Sequence, residues 1–211
     1  MTTQLQTPAA PNLPLGPDDY QRAYQDGFAN ILRLYFNRLT SLLAALTGVR
    51  GGQYLNTPYA AIQRTTGKTF TANTATQITF DQNDFLNGCS NPGSDGITVA
   101  QSGLYNYQFS VQLKNTDTQI RSAWIWLRKN NVDIAGTGSK FDVVSSHGGT
   151  PGYVIAACNF YVSLNANDAI EMWAATDNAT VSFEAAAAQT LPFAMPAIPS
   201  VVATLSFVSA V

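Results

Sequence analysis

The stretch from Ile97 to Asn131 constrains the fold more than any other part of the chain. Within it Tyr105, Tyr107, Phe109, Val111 and Leu113 alternate with Asn106, Gln108, Ser110 and Gln112. Successive side chains of a strand point to opposite faces, so this period of two predicts a half-buried strand in an antiparallel sheet. A second run sets Ala123, Ile125 and Leu127 against Ser122, Trp124, Trp126 and Arg128. It ends in Asn130-Asn131, residues that tolerate the positive φ of a tight turn.

Downstream of Tyr54 no helical period recurs, and short strand signals alternate with clusters of Gly, Asn, Asp and Pro. They lie near 59–64, 68–70, 76–80, 97–99, 104–113, 122–128, 132–135, 153–164, 169–174, 180–184 and 200–208. Many short strands between turn clusters predict a mainly β domain over 54–211, an antiparallel sandwich or jelly-roll barrel. The alanine run at 185–188 reads as a strand end or loop.

Two different segments precede this domain. Residues 1–17 carry Pro8, Pro11, Pro14 and Pro17, a spacing that favours an extended arm, either loose or ordered on a partner through Leu13 and Leu15. Residues 18–50 read as one long helix, with Pro17 suited to its first turn, Asp18 and Asp19 favoured by the helix dipole, and Gly48 suited to its end. Phe28, Leu32, Tyr35, Leu39, Leu42 and Leu46 recur at alternating spacings of four and three, the seam of a coiled coil, and Ile31, Leu34, Phe36 and Leu43 widen it. So apolar a helix needs a partner in water. That partner is either its own barrel or sibling helices, and the loose joint at Gly51-Gly52 favours the siblings.

Only 11% of residues are charged, against about 25% in ordinary soluble domains. Amides, hydroxyls and alanine fill the polar positions, a surface suited to close packing against copies of itself. With a formal net charge of -2 the chain lacks the attraction that nucleic acid or an anionic membrane requires. No apolar window approaches the ~20 residues that span a bilayer. No basic start and apolar run open the chain, so the expectation is a protein made and left in a cytoplasm, or assembled there into something larger. Cys89 and Cys158 fit neither a disulfide framework nor a zinc pattern. Cys158, in step with Ala156, Phe160 and Val162, is expected to be buried, and Cys89 to lie in an open turn; a bridge between them is the lesser alternative.

Chemical motifs are sparse. His147 lies near Asp142, Ser145 and Ser146, but a triad is defined by geometry and a Gly-rich loop guarantees none, so no catalytic residue and no enzyme activity is expected. Asp81, Asn83 and Asp84 before Gly88 invite a calcium reading that EF-hand spacing does not meet. Neither a metal nor another cofactor is expected. VRGGQY lacks the Gly-Lys-Ser/Thr of a phosphate loop, and the sequon at Asn178 matters only after secretion. Trp124, Trp126 and Arg128 form a ladder on one strand face that could stack on a sugar or a base. In an oligomeric barrel the two tryptophans, with Tyr105, Tyr107, Phe109 and Val111, would instead be core or interface.

The motif order in 59–208 resembles the C1q/TNF-like jelly roll. The phrase VAQSGLYNYQFSV places Gly103, Tyr105, Tyr107 and Phe109 where that family carries Gly-x-Tyr-x-Phe. LRKNNVDIA stands in for its Lys-Asn-Gly turn with Asn131 for Gly, and YVSLNANDAIEMW for its Gly-Asp turn with Asn167 for Gly and Asp168 kept. Joined to an arm, an aromatic helix and the ending PAIPSVVATLSFV, the chain is similar to C1q-like structural proteins of tailed bacteriophages, particularly of marine and cyanobacterial hosts. The resemblance implies a homotrimer located in the virion, a knob or decoration on capsid or tail anchored to other virion proteins by arm and helix. Its alternative is a C1q-like module that binds a host surface glycan.

Overall fold

The structure, a computed structural model, describes residues 8–47 and 57–210. The chain divides into two compact units between Asn56 and Thr57. In the first, residues 8–17 have no regular secondary structure, Leu13 and Leu15 are exposed, and the Tyr24 hydroxyl donates to the Pro14 carbonyl at 2.9 Å. Helix α1 spans Arg22–Thr47, a proline-free run rich in Leu, Ala and Arg. Its first bond runs from Gln25 N to the Gln21 carbonyl. Asp18 and Asp19, expected in the first turn, therefore lie ahead of it in a bend, a conformation that Asp favours through local hydrogen bonds. Gly48 and the Gly51-Gly52 joint fall outside the described residues. Phe28, Leu32, Tyr35, Leu39, Leu42 and Leu46 share one stripe and are all partly buried, while Leu34 and Phe36 are exposed.

The second unit is mainly β. It begins with β1 (Tyr59–Arg64), β2 (Lys68–Thr69), β3 (Thr76–Gln77), β4 (Gln82–Asn87), β5 (Cys89–Ser90), β6 (Ile97–Val99) and β7 (Gly103–Asn115). It continues with β8 (Arg121–Lys129), β9 (Val132–Asp133), β10 (Ser139–Val143), β11 (Gly152–Leu164), β12 (Ala169–Thr176), β13 (Val181–Phe183) and β14 (Val201–Ser209). Two antiparallel sheets result, packed as a sandwich. In the first, β7 pairs along its whole length with β11, and its other edge is shared by β14 and β13; β1 lies beside β14, β2 beside β13, and β4 outside β1. In the second, β8 lies between β10 and β12, with β9 closing a hairpin on β8 and β3, β6 and β5 completing the far side of β12.

The period of two explains the core. Tyr105, Tyr107, Phe109, Val111 and Leu113 of β7 meet Ala123, Ile125 and Leu127 of β8 and Ile170, Met172 and Ala174 of β12 in one buried cluster. Each large side chain so buried contributes about 1.5–3 kcal/mol. Both ends of β7 are fixed. A Cβ at Gly103 would strike the Phe207 ring and lie 2.8 Å from the Ser209 carbonyl, and that ring stands edge-on to Tyr105 at 5.5 Å. At the other end the buried Asn115 amide donates to the carbonyls of Gln119 (2.8 Å), Val144 (3.1 Å) and Val143 (3.3 Å), while its oxygen accepts from Asp117 N at 2.8 Å. The turn residues Asn130, Asn131 and Asn167 take positive φ of 50°, 66° and 69°. The Asn130 side chain ties two turns together, donating to Asp168 at 2.7 Å and accepting from Ala169 N at 2.8 Å.

Three strands depart from the sequence expectation. Gln82–Asn87, expected as a turn, is an edge strand on β1, and Cys89–Ser90 pairs with β6; both are mostly polar, and pairing with a neighbour, which no local pattern encodes, makes them strands. Ser139–Val143 pairs with β8 in the same way. The alanine run is loop, with Ala186 bridging Ile198.

Asn115→Leu is expected to lower stability by on the order of 3 kcal/mol, because it strands several buried carbonyls. Asn131→Gly should change it by less than about 0.5 kcal/mol, because glycine meets the same φ without strain. Denaturant midpoints of the two variants check this contrast, and equal midpoints would contradict it.

Candidate functional site

All three tryptophans of the chain emerge on the outer face of the second sheet. Ala123, Ile125 and Leu127 face the core, so Trp124, Trp126 and Arg128 of β8 must face outward. The register sets Trp126 opposite Trp173 of β12, Arg128 opposite Glu171, and Trp124 between Ala175 and Lys140. Trp173 was not singled out in the sequence, although the alternation of Ile170, Met172 and Ala174 with Glu171, Trp173 and Ala175 carries the signal.

Most of this ladder is occupied by its own neighbours. The Arg128 guanidinium lies 3.8 Å from the centroid of the Trp173 ring and 6.0 Å from that of Trp126, a cation–π arrangement. Asp133 accepts from Trp126 Nε1 at 2.7 Å and from Arg128 Nε at 2.6 Å. Glu171, nearly buried, accepts from Trp173 Nε1 at 3.0 Å and Asn131 N at 3.1 Å. Trp124 is the open ring, 38% exposed, with Lys140 Nζ 5.9 Å from its centroid. Lys140 also pairs with Asp142, which accepts from the Ser122 hydroxyl at 2.6 Å; these two contacts hold the Asp142 carboxyl below the usual range.

Of the residues for which core or interface was expected, Tyr105, Tyr107, Phe109 and Val111 lie in the core, whereas Trp124 and Trp126 lie outside it. His147 is exposed on a hairpin turn closed by reciprocal bonds with Thr150. Asp142 faces Ser122 and Lys140, and the Ser146 hydroxyl donates to the Thr116 carbonyl, so no relay converges on the imidazole. Asp81 accepts from Thr65 and Thr66; burial raises its carboxyl, and these bonds outweigh it, leaving it below the usual range. Asn83 accepts from Asn91 and Asp84 from Gln63 and Gln82, so the three oxygens turn to separate partners. Among the described residues no group of three or more His, Cys, Asp or Glu is placed to hold a metal, and no helix is long and apolar enough to cross a membrane. Both cysteines are free thiols. Cys158, expected buried, is only partly so, because β11 is an edge strand, and its thiol lies 3.4 Å from the Ser139 hydroxyl. Cys89, expected in an open turn, is half-buried in β5, and burial pushes its thiol up to about 11.

The outer face of the first sheet has the opposite character. Strand β11, thirteen residues long, pairs with β7 alone among the described residues. Its outward residues include Tyr153, Ile155 and Tyr161, the last two each 65% exposed. β11 and β14 contain no charged residue and β7 contains Lys114 alone, which pairs with Glu184 at 3.0 Å. Between these strands lies a shallow concavity of about 510 Å³ whose lining includes Gln108, Ser110, Ala157, Cys158, Asn159, Val202 and Thr204.

No protein-family model matches the chain, and no curated protein matches it.

The Asp133 carboxyl is held below the ordinary range chiefly by the Arg128 hydrogen bond and then by that of Trp126. A lowered carboxyl pKa stabilises the face above the unfolded value near 4, and the contribution is lost as pH falls through the folded value. Tryptophan emission is expected to shift below about pH 4. The shift should shrink in Asp133→Asn, which keeps an acceptor and does not titrate; an unchanged acid titration in that variant would contradict this account.

Proposed function

We propose that this chain is a non-enzymatic virion component: a homotrimer of C1q/TNF-like jelly rolls forming a knob or decoration on a phage capsid or tail, anchored by its arm and helix. The observation that carries the proposal is β11. A long edge strand with exposed Tyr153, Ile155 and Tyr161 and no charge is a liability in a monomer, since unpaired edges and apolar patches invite association. Closure around a three-fold axis removes that liability with a finite assembly. An obligate interface of this type buries more than about 2,000 Å².

The jelly-roll reading is supported by the path of the long strands, which alternate between sheets: β7 in the first, β8 in the second, β11 in the first, β12 in the second and β14 in the first. It is also supported by the Gly-x-Tyr-x-Phe phrase, which falls on β7, and by both Asn-for-Gly replacements, which fall on positive-φ turns. The virion placement rests on the likeness of the sequence to phage C1q-like proteins. Supporting it are the apolar stripe of α1, which offers a surface for sibling helices, and the exposed leucines of the arm, which offer one for another virion protein.

A second reading, a C1q-like module for a host surface glycan, is favoured by Trp124, whose open ring beside Lys140 suits stacking on a sugar. Trp126 and Arg128 suit that role less, being engaged by Asp133 and Trp173. Trp124→Ala should abolish binding to a glycan array and leave the oligomer intact if this reading holds.

Light scattering on the full chain and on a chain beginning at Gly51 tests the trimer. Three times the monomer mass in both is the expected result and assigns the main interface to the sandwich. A trimer only in the full chain would assign it to the helix, and a monomer in both would overturn the proposal.

A further inference from the structure

Residues 185–199 form a finger that neither the core nor the tryptophan face uses. Its two ends are fastened to one residue of β7: Glu184 N donates to the Gln112 carbonyl, and Gln112 N donates to the Ser200 carbonyl, both at 2.9 Å. On the other flank Ser200 N donates to the Arg64 carbonyl at 2.9 Å, and the Ser200 hydroxyl donates to the Thr66 carbonyl at 2.7 Å. The finger therefore departs from within the first sheet, between β13 and β14. None of its residues belongs to the buried core.

It is a built element. Reciprocal backbone bonds join Ala186 to Ile198 at 2.9 and 2.8 Å, and Gln189 to Met195 at 3.0 and 2.9 Å. Beyond the second bridge comes the tip, Leu191-Pro192-Phe193, with Leu191 81% and Phe193 60% exposed. No charged residue occurs from 185 to the end of the chain. An ordered ladder that carries leucine and phenylalanine into solvent is a surface shaped for burial in a partner.

The outer face of the same sheet supplies a hollow. The concavity begins at Ser110, two residues along β7 from the finger's base, and is uncharged like the finger, with Ala157 and Val202 among its lining. Its lining contains no finger residue. The finger therefore leaves the hollow of its own chain open.

Resting on the trimeric reading above, we propose that the finger tip of one copy seats in the first-sheet concavity of the next. Such a contact is heterologous, a projection on one copy meeting a hollow on its neighbour, and such contacts form rings when the rotation closes. Both surfaces are uncharged, so neither desolvates an ion on joining. The trimeric reading supplies the occupant, a second copy of this chain, and Leu191 and Phe193 are the anchors.

Two measurements on the full chain test this. Phe193→Cys combined with Ala157→Cys should, under mild oxidation, give covalent dimers and trimers on non-reducing electrophoresis. Both changes are made in a Cys158→Ser background, because Cys158 itself lines the concavity, and each single variant should stay at the level of that parent, whose Cys89 sets the background. Separately, Leu191→Asp with Phe193→Asp should raise the concentration at which the oligomer half-dissociates by about 30-fold or more, the loss typical of a hot spot, with the circular dichroism spectrum unchanged. An aspartate variant that stays trimeric with unchanged affinity, or a double cysteine variant no more cross-linked than the singles, would overturn the finger contact and leave the trimer standing. A monomeric wild type would overturn both.

Discussion

Strand β7 is the member on which the rest of this structure depends. It joins β11 on one side to β14 and β13 on the other, and its inward residues supply the aromatic centre of the core. Its length matters as much as its composition, because thirteen residues are needed to hold two partners end to end on one edge. The gap between those partners, at Gln112, is where the finger can leave the sheet without breaking it. Glycine at one end of β7 and a buried asparagine at the other keep the strand from sliding in register, a slip that would turn every side chain to the wrong face.

The features legible in the sequence are those that local chemistry dictates. Alternation marked β7 and β8 because each has one wet face, and Asn130, Asn131 and Asn167 marked turns because few other side chains accept a left-handed backbone. Features that depend on a neighbour were not legible. β4 is a strand by virtue of β1, and its polar residues give no periodic signal of their own. Trp173 joins the tryptophan face through a register set more than forty residues away. The helix begins four residues later than Pro17 suggested, because the aspartates that could have served its dipole take a bend. The finger was hidden in an alanine run whose order comes from two isolated bridges.

The two outer faces divide the polar groups unequally. On the second sheet, cations, indoles and carboxylates are matched within the chain, and what remains open is chiefly one indole ring. On the first sheet the polar groups are mostly amides and hydroxyls, and the exposed large side chains are apolar. Ionic strength has little to screen on such a face, so contacts made there are governed by shape and apolar area.

The placement of β14 sets a condition on how the molecule is made. This last strand lies between β7 and β1, so the first sheet cannot be assembled in the order in which the ribosome delivers its parts. Until residues near 209 emerge, β7 and β1 each present an unmatched edge, and β1 has waited through some 140 residues of synthesis at roughly 5–20 residues per second. Folding of the sandwich therefore waits for β14 and has long-range closure at its heart. A nascent chain arrested before its last strand holds an open sheet, not a smaller version of the domain.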